Sequence, residues 1–382
     1  MRRKRLLIVF IICIIFIVGC SKNNNGANIN GIFNVQTAKL TAISYMQRLV
    51  SNDIEGANAI SSPSVAANNK VKKIDEEPII AFASGNLTET GQSAYIIFNT
   101  IRLNNKNKGA DLDQYTVKVE KSGKEYKVAD IKSENLRQIY QKDTELRGVN
   151  KGTGDSDLIL RLKDLPLELY TKDDKVPLQK VTVPKDKFGV MSMDFKGGTI
   201  ALSTNNGKDS FIGIAMIEDA QQTFASIGNM LAQDNNEQLD ENKLRKIIEK
   251  PIAQNIIGYD ILKDCMVQKM MFTEEGSELI VQYTNGKDKN MGLKIYKNPD
   301  GEPLDIDFEN LFPIDKYEVT YKGGSQSKLI ITVNSSSGTN DIYQDLIGDY
   351  VIDLTKEELT KLWFRTEEIN FYLWYYKRKK VL

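Results

Sequence analysis

The chain has 382 residues, with 51 Lys plus Arg against 51 Asp plus Glu, 41% hydrophobic residues and no histidine. A length near two or three ordinary domains and zero net charge point to a globular protein without the basic field that draws nucleic acid. The missing histidine excludes His-dependent triads, His metal sites and His pH switches, and three cysteines (Cys13, Cys20 and Cys265) are too few for a disulfide framework or a Cys-rich zinc site.

The chain opens on Met1-Arg2-Arg3-Lys4-Arg5 and continues with an uncharged apolar run from Leu6 to Val18. A basic start before a short apolar run reads as an export signal, and the run is shorter than the roughly 20 residues that span a bilayer. It ends in Ile17-Val18-Gly19-Cys20, followed by the polar Ser21-Lys22-Asn23-Asn24-Asn25-Gly26. Branched aliphatic, small residue, then cysteine resembles the lipobox of bacterial lipoproteins, chiefly of the Gram-positive type. The resemblance implies cleavage between Gly19 and Cys20, a signal peptide at 1–19 and diacylglycerol on the Cys20 thiol. It also implies a cell-membrane location on the extracytoplasmic face, with residues 20–34 as a flexible tether. Cleavage removes Arg2, Arg3, Lys4 and Arg5 and leaves a mildly acidic chain, which suits neither nucleic acid nor anionic lipid. The lipid bilayer, reached through Cys20, is thus the first expected partner.

Residues 35–51 predict an amphipathic helix, with Ala38, Ala42, Tyr45, Met46 and Leu49 on one face. A second short helix is expected at 53–61 with Asp53 at its start, closed by Ser62-Pro63-Ser64. Strands follow at 79–84, 94–103 and 115–120, and the last pairs across Ser122-Gly123 with 126–131. Val117, Val119, Lys121, Gly123, Lys124, Tyr126, Lys127, Val128 and Ile131 together resemble the closing hairpin of the nuclear transport factor 2-like fold, also called SnoaL-like or cystatin-like. This implies an α+β cone over 35–135, helices packed on a curved sheet. That fold hosts enzymes and binding proteins alike and leaves function open.

Beyond it we expect a helix at 134–146, a linker rich in glycine, and a β-rich middle module at 155–233. Its strands are expected at 158–162, 181–183, 189–193, 199–203 and 211–217, with a helix at 218–232. After an acidic boundary at 234–242, a C-terminal α+β module at 243–382 begins with a short helix at 244–252. Strands are expected at 265–272, 277–284, 292–296, 317–321 and 328–333, the last two pairing across Gly323-Gly324. A helix at 354–364 follows, with Thr355 as its cap. The fold class expected is therefore α+β, in two or three small antiparallel-sheet modules.

No catalytic residue, cofactor or metal site emerges. The acidic run Asn298–Glu309 lacks the spacing of a calcium loop. Gly152-Thr153-Gly154 lacks the rest of a dinucleotide loop. Cys265 has no base and reads as a small core residue, and no serine lies in a nucleophile motif. Phe371-Tyr372-Leu373-Trp374-Tyr375-Tyr376 before Lys377-Arg378-Lys379-Lys380 is the most unusual stretch. Trp374, Tyr375, Tyr376, Lys377, Arg378, Lys379 and Lys380 are a candidate membrane contact. The ordinary reading, a terminal element packing its aromatics on the last module, is favoured. The function expected is a non-enzymatic binding or interaction module at the cell envelope, with an unidentified envelope ligand or protein as second partner. The alternative is an exported hydrolase of wall glycan or a related polymer working through two carboxylates.

The anchor is testable by labelling with radioactive palmitate. The wild-type chain takes up the label, and Cys20→Ser takes up none and stays at its precursor size.

Overall fold

The computed structural model describes residues 33–69, 77–104, 108–150, 156–172, 179–217, 250–286, 289–325, 327–336 and 343–362. Gly19 and Cys20, the helix expected at 218–232, the boundary at 234–242, most of 244–252, and the tail residues Trp374, Tyr375, Tyr376, Lys377, Arg378, Lys379 and Lys380 lie outside the described residues.

Helix α1 (Val35–Val50) forms because Ala38, Ala42, Tyr45, Met46 and Leu49 make one apolar stripe, and all five are buried. Asn34 caps it, its Oδ1 accepting from the Thr37 amide at 3.0 Å. Asp53 caps α2 (Ile54–Ala59) by accepting from the Gly56 amide at 2.9 Å. Pro63, expected only to close α2, instead opens α3 (Pro63–Asn69), where a proline lacking its N–H costs nothing.

The helices lie on a six-stranded antiparallel meander, sheet I: β1 (Ile79–Thr90), β2 (Ser93–Asn104), β3 (Gly109–Ser122), β4 (Glu125–Lys142), β5 (Glu145–Asn150) and β6 (Ser156–Arg161). The expected hairpin is present, with Val117 opposite Ile131 and Gly123 at φ +64° in its turn. Both faces of sheet I carry apolar residues. Ala94, Ile96, Phe98, Tyr115, Val117 and Val119 pack with α1, whereas Ile101, Ala110, Leu112 and Ile139 join a second core.

That second core runs through three further meanders. After a ribbon of β7 (Glu168–Tyr170) and β8 (Lys180–Thr182) comes sheet II, made of β9 (Lys187–Met193), β10 (Thr199–Asn205), β11 (Ser210–Ile217) and β12 (Ala253–Leu262). Sheet III holds β13 (Cys265–Phe272), β14 (Glu278–Asn285) and β15 (Met291–Lys297). The one-turn helix α4 (Phe308–Leu311) leads to sheet IV, made of β16 (Tyr317–Ser325), β17 (Lys328–Ser335), β18 (Gly348–Asp353) and β19 (Glu358–Lys361). Every residue of β10 is buried. Ile200 and Leu202 face the large core, while Ala201 joins Ile212, Ile214, Val267, Met270 and Val281 in the layer between sheets II and III. Sheet IV closes the series with one buried face: Val319, Leu329, Ile331 and Ile352 point inward, and Thr320, Ile330, Thr332 and Val351 are half-exposed. Consecutive antiparallel meanders thus pack on one another through their faces.

The expected α+β class, with a nuclear transport factor 2-like cone at its start, is therefore wrong. Among the described residues 59% are in strands, and the four helices are short. The residues expected as a helix at 134–146 are β4 and β5. Leu136, Ile139 and Tyr140 repeat at helical spacing, but pairing Ile139 with Ala110 and Tyr140 with Gly109 extends the sheet instead. Sheet I does not serve its helices alone, because its other face joins the large core. At 354–361 the chain turns into β19, and Thr355 donates to Asp353 Oδ1 at 2.6 Å inside that turn rather than capping a helix. Strand β12 was not expected at all. The 317–321 and 328–333 pairing is present, but β16 runs through Gly323 and Gly324 as far as Ser325.

Hairpins of a meander alternate between two ends. At one end the β9–β10 and β13–β14 turns dock on sheet I. Asn99 Nδ2 donates to the Phe195 carbonyl at 2.9 Å, the Ser84 amide donates to Glu274 Oε1 at 2.9 Å, and Arg137 donates to the Gly197 carbonyl. Gly197, at φ +73°, leaves room for this contact, since a Cβ there would lie 3.1 Å from Leu112 Cδ2. The other end carries the β10–β11, β12–β13 and β14–β15 turns.

One-sided burial of sheet IV sets a contrast within β17. Ile331→Ala is expected to cost about 2–5 kcal/mol by urea unfolding and Ile330→Ala, on the outer face, about 1 kcal/mol or less.

Candidate functional site

The three turns at the second end are bonded to one another. Asn206 Oδ1 accepts from the Lys208 and Asp209 amides at 3.0 and 2.7 Å, which shapes the β10–β11 turn, and Gly207 supplies its φ of +88°. Asp209 Oδ1 accepts from the Asp264 amide at 2.9 Å, and the Asp264 carbonyl accepts from the Gly286 amide at 2.6 Å. These bonds hold open a cleft of about 800 Å³, lined by Lys208, Leu262, Asp264, Met266, Tyr283, Glu309 and neighbouring residues. Cys265, expected as a core residue, is half-buried and lines the same cleft.

The cleft wall is charged and fixed from behind. Tyr283 Oη donates to Glu309 Oε1 at 2.9 Å, and Gly292 makes space for the Tyr283 ring, because a Cβ there would lie 2.5 Å from it. Lys294 Nζ stands 3.8 Å from Glu309 Oε1 and 3.7 Å from Asp260 Oδ2. Asp260 is fully buried. Its Oδ1 accepts from the Lys172 and Ile261 amides at 2.9 and 2.8 Å, and its Oδ2 from Tyr296 Oη at 2.8 Å. One carboxylate thus ties the end of β7, sheet II and sheet III together and steadies the lysine behind Glu309. At the rim, Lys208 and Asp264 pair at 3.3 Å, but both side chains are 69% exposed, so this pair adds little stability.

A carboxylate-dependent hydrolase needs two acids close together and open to substrate. Asp111 and Asp113 are close and buried, but they lie on sheet I, outside the cleft lining, and share the guanidinium of Arg102. Among the described residues no group of three or more His, Cys, Asp or Glu is arranged to hold a metal ion. Asp300-Gly301, in the acidic run, forms a turn with Gly301 at φ +71°. Gly152-Thr153-Gly154 lies outside the described residues.

No protein-family model matches this chain, and no curated protein matches it. Among solved structures, Kluyveromyces lactis Hsv2 is similar at 9% identity over 73% of this chain and 73% of that one, with a TM-score of 0.25. Prolyl oligopeptidase B from Galerina marginata is similar at 7% identity over 77% of this chain and 36% of that one, with a TM-score of 0.30. Acylaminoacyl peptidase from Pyrococcus horikoshii gives 10%, 74%, 46% and 0.21 for the same quantities. Superpositions this loose carry no argument about activity.

Sequence reasoning missed Tyr283, Glu309, Lys294 and Asp260. Each stands in or beside a strand-like or acidic stretch where an exposed position is the default, and only the packing of sheet III on sheet II buries Asp260. Asp260→Ala removes the side-chain acceptor of two amides and a tyrosine hydroxyl and one of the two carboxylates beside Lys294. A loss of about 3–5 kcal/mol in urea unfolding is expected, against about 1 kcal/mol for Tyr283→Phe.

Proposed function

We propose that this chain is a lipoprotein anchored through Cys20 on the extracytoplasmic face of the membrane, and that it acts as a non-enzymatic binding module. The cleft at the turn end of sheets II and III is the observation that carries this reading. It is large enough for a small ligand or a peptide segment. Its wall combines apolar side chains with a few polar groups held in place by other residues, the arrangement that fixes a ligand's orientation. Its two acids are engaged by neighbours, Asp264 by Lys208 and Glu309 by Tyr283 and Lys294, which suits recognition better than proton transfer. Turns carried on rigid stacked sheets are also the ordinary way to present a binding surface.

Cys265 offers the test, since it lines the cleft and Cys20 is acylated in this reading. A benzophenone maleimide attached to Cys265 in intact membranes is expected to give a discrete photo-crosslinked adduct. Glu309→Lys, which sets a second ammonium beside Lys294, is expected to reduce that adduct at least tenfold. An adduct of unchanged yield would place binding elsewhere on the chain.

A further inference from the structure

The helix-bearing face of sheet I changes character along its strands. Ala94, Ile96 and Phe98, opposite Val119, Val117 and Tyr115, are apolar and covered. The next pairs on the same face are Thr100 with Asp113 and Arg102 with Asp111. Arg102 faces three carboxylates at once. It pairs with Glu77, its Nη2 lies 3.4 Å from Asp111 Oδ2, and its Nε lies 2.5 Å from Asp113 Oδ2.

The three acids are not equivalent. Glu77 is 37% exposed, so water serves it. Asp113 has a full set of donors, since its second oxygen accepts from Asn135 Nδ2 at 2.9 Å. Asp111 is 3% exposed, has only the most distant of the guanidinium contacts together with Gln138, and its Oδ1 is buried with no hydrogen-bond partner. Among the described residues the face continues with Tyr115, two residues beyond Asp113, and on the other side with Tyr140 opposite Gly109 and Arg147 opposite Tyr140, where Arg147 is paired with Glu145 at 2.8 Å. Among the described residues Arg102 is the one cation in contact with these acids, and the negative excess falls most heavily on the two buried aspartates, where the low dielectric makes it costly. Among the described residues no cation-binding group is formed here. The charge that restores balance is a proton, and Asp111 is where it costs least.

We propose that Asp111 is a proton-binding carboxyl that makes this half of sheet I pH-responsive, tightening the Arg102 contacts to Asp113 and Glu77 when protonated and loosening them when ionised. Burial, opposed by Arg102 and reinforced by the charges of Asp113 and Glu77, pushes the Asp111 carboxyl up to about 6. An unfolded aspartate titrates near 3.9. The folded chain therefore holds the proton more tightly than the unfolded one. The stabilisation is complete below about pH 4 and is lost as pH rises through 6. A gap of about two pH units is about a hundredfold in the folding equilibrium constant.

The test uses the full chain in detergent with ¹³C-carboxyl aspartate, titrated from pH 3.5 to 8. One aspartate carboxyl is expected to titrate near 6. It should vanish in Asp111→Asn and move to lower pH in Glu77→Gln, with Asp194→Asn leaving it in place. In urea unfolding, Asp111→Asn should remove most of the hundredfold fall between pH 4 and 7. The absence of any aspartate titrating between pH 5 and 7 in the wild type would overturn the proposal, whether or not the Asp111 variant folds. So would a folded Asp111→Asn with the wild-type spectrum in that range, or a Glu77→Gln that moves no midpoint.

Discussion

Central strands buried on both faces are the constraint on which this molecule depends. A strand's side chains alternate, so a strand such as β10 can be buried throughout only if each face meets another layer. Ile200 and Leu202 satisfy one layer and Ala201 the other. This alternation places sheet II between neighbours, sets sheet III against it, and gives the outermost sheet IV its single buried face. Small residues keep the layers close: Gly213 and Gly258 sit against the Phe211 ring, where a Cβ would lie 2.7 and 3.0 Å from ring atoms.

Stacking also decides where the chain can act. The turns at one end are spent on sheet I, through Asn99, Arg137 and Ser84, and those carbonyls and amides are no longer offered to a ligand. The turns at the other end bond to one another, through Asp209, Asp264 and Gly286. The cleft is the gap between them, and its polar wall is braced by a buried carboxylate at Asp260. The polar interior thus supports the site in the way packed neighbours support apolar side chains, by removing alternative positions.

Charge is handled differently in the two buried clusters. Asp260 has four donors near it and stays balanced. The cluster at Arg102 has more acids than donors, and its imbalance sits on the same sheet face as the apolar helix contact. Both clusters come from residues that read as ordinary surface charge in the linear chain, because an aspartate in an alternating strand normally faces water.

Local order was legible from the residues alone. The five-residue stripe of α1, the Asp53 cap, the Gly123 hairpin and most strands of sheets I to IV follow from spacing and turn chemistry, which act over a few neighbours. The lipobox-like segment ending in Gly19-Cys20 is likewise a local pattern. Spacing failed where tertiary pairing overrode it: Leu136, Ile139 and Tyr140 match a helix until β3 offers a partner, and β12 carries Asp260 amid apolar residues because sheet III covers it. Which faces meet, which turns stay free, and that Tyr283, Glu309 and Lys294 converge are decided by contacts between residues far apart in the chain. No local period encodes them.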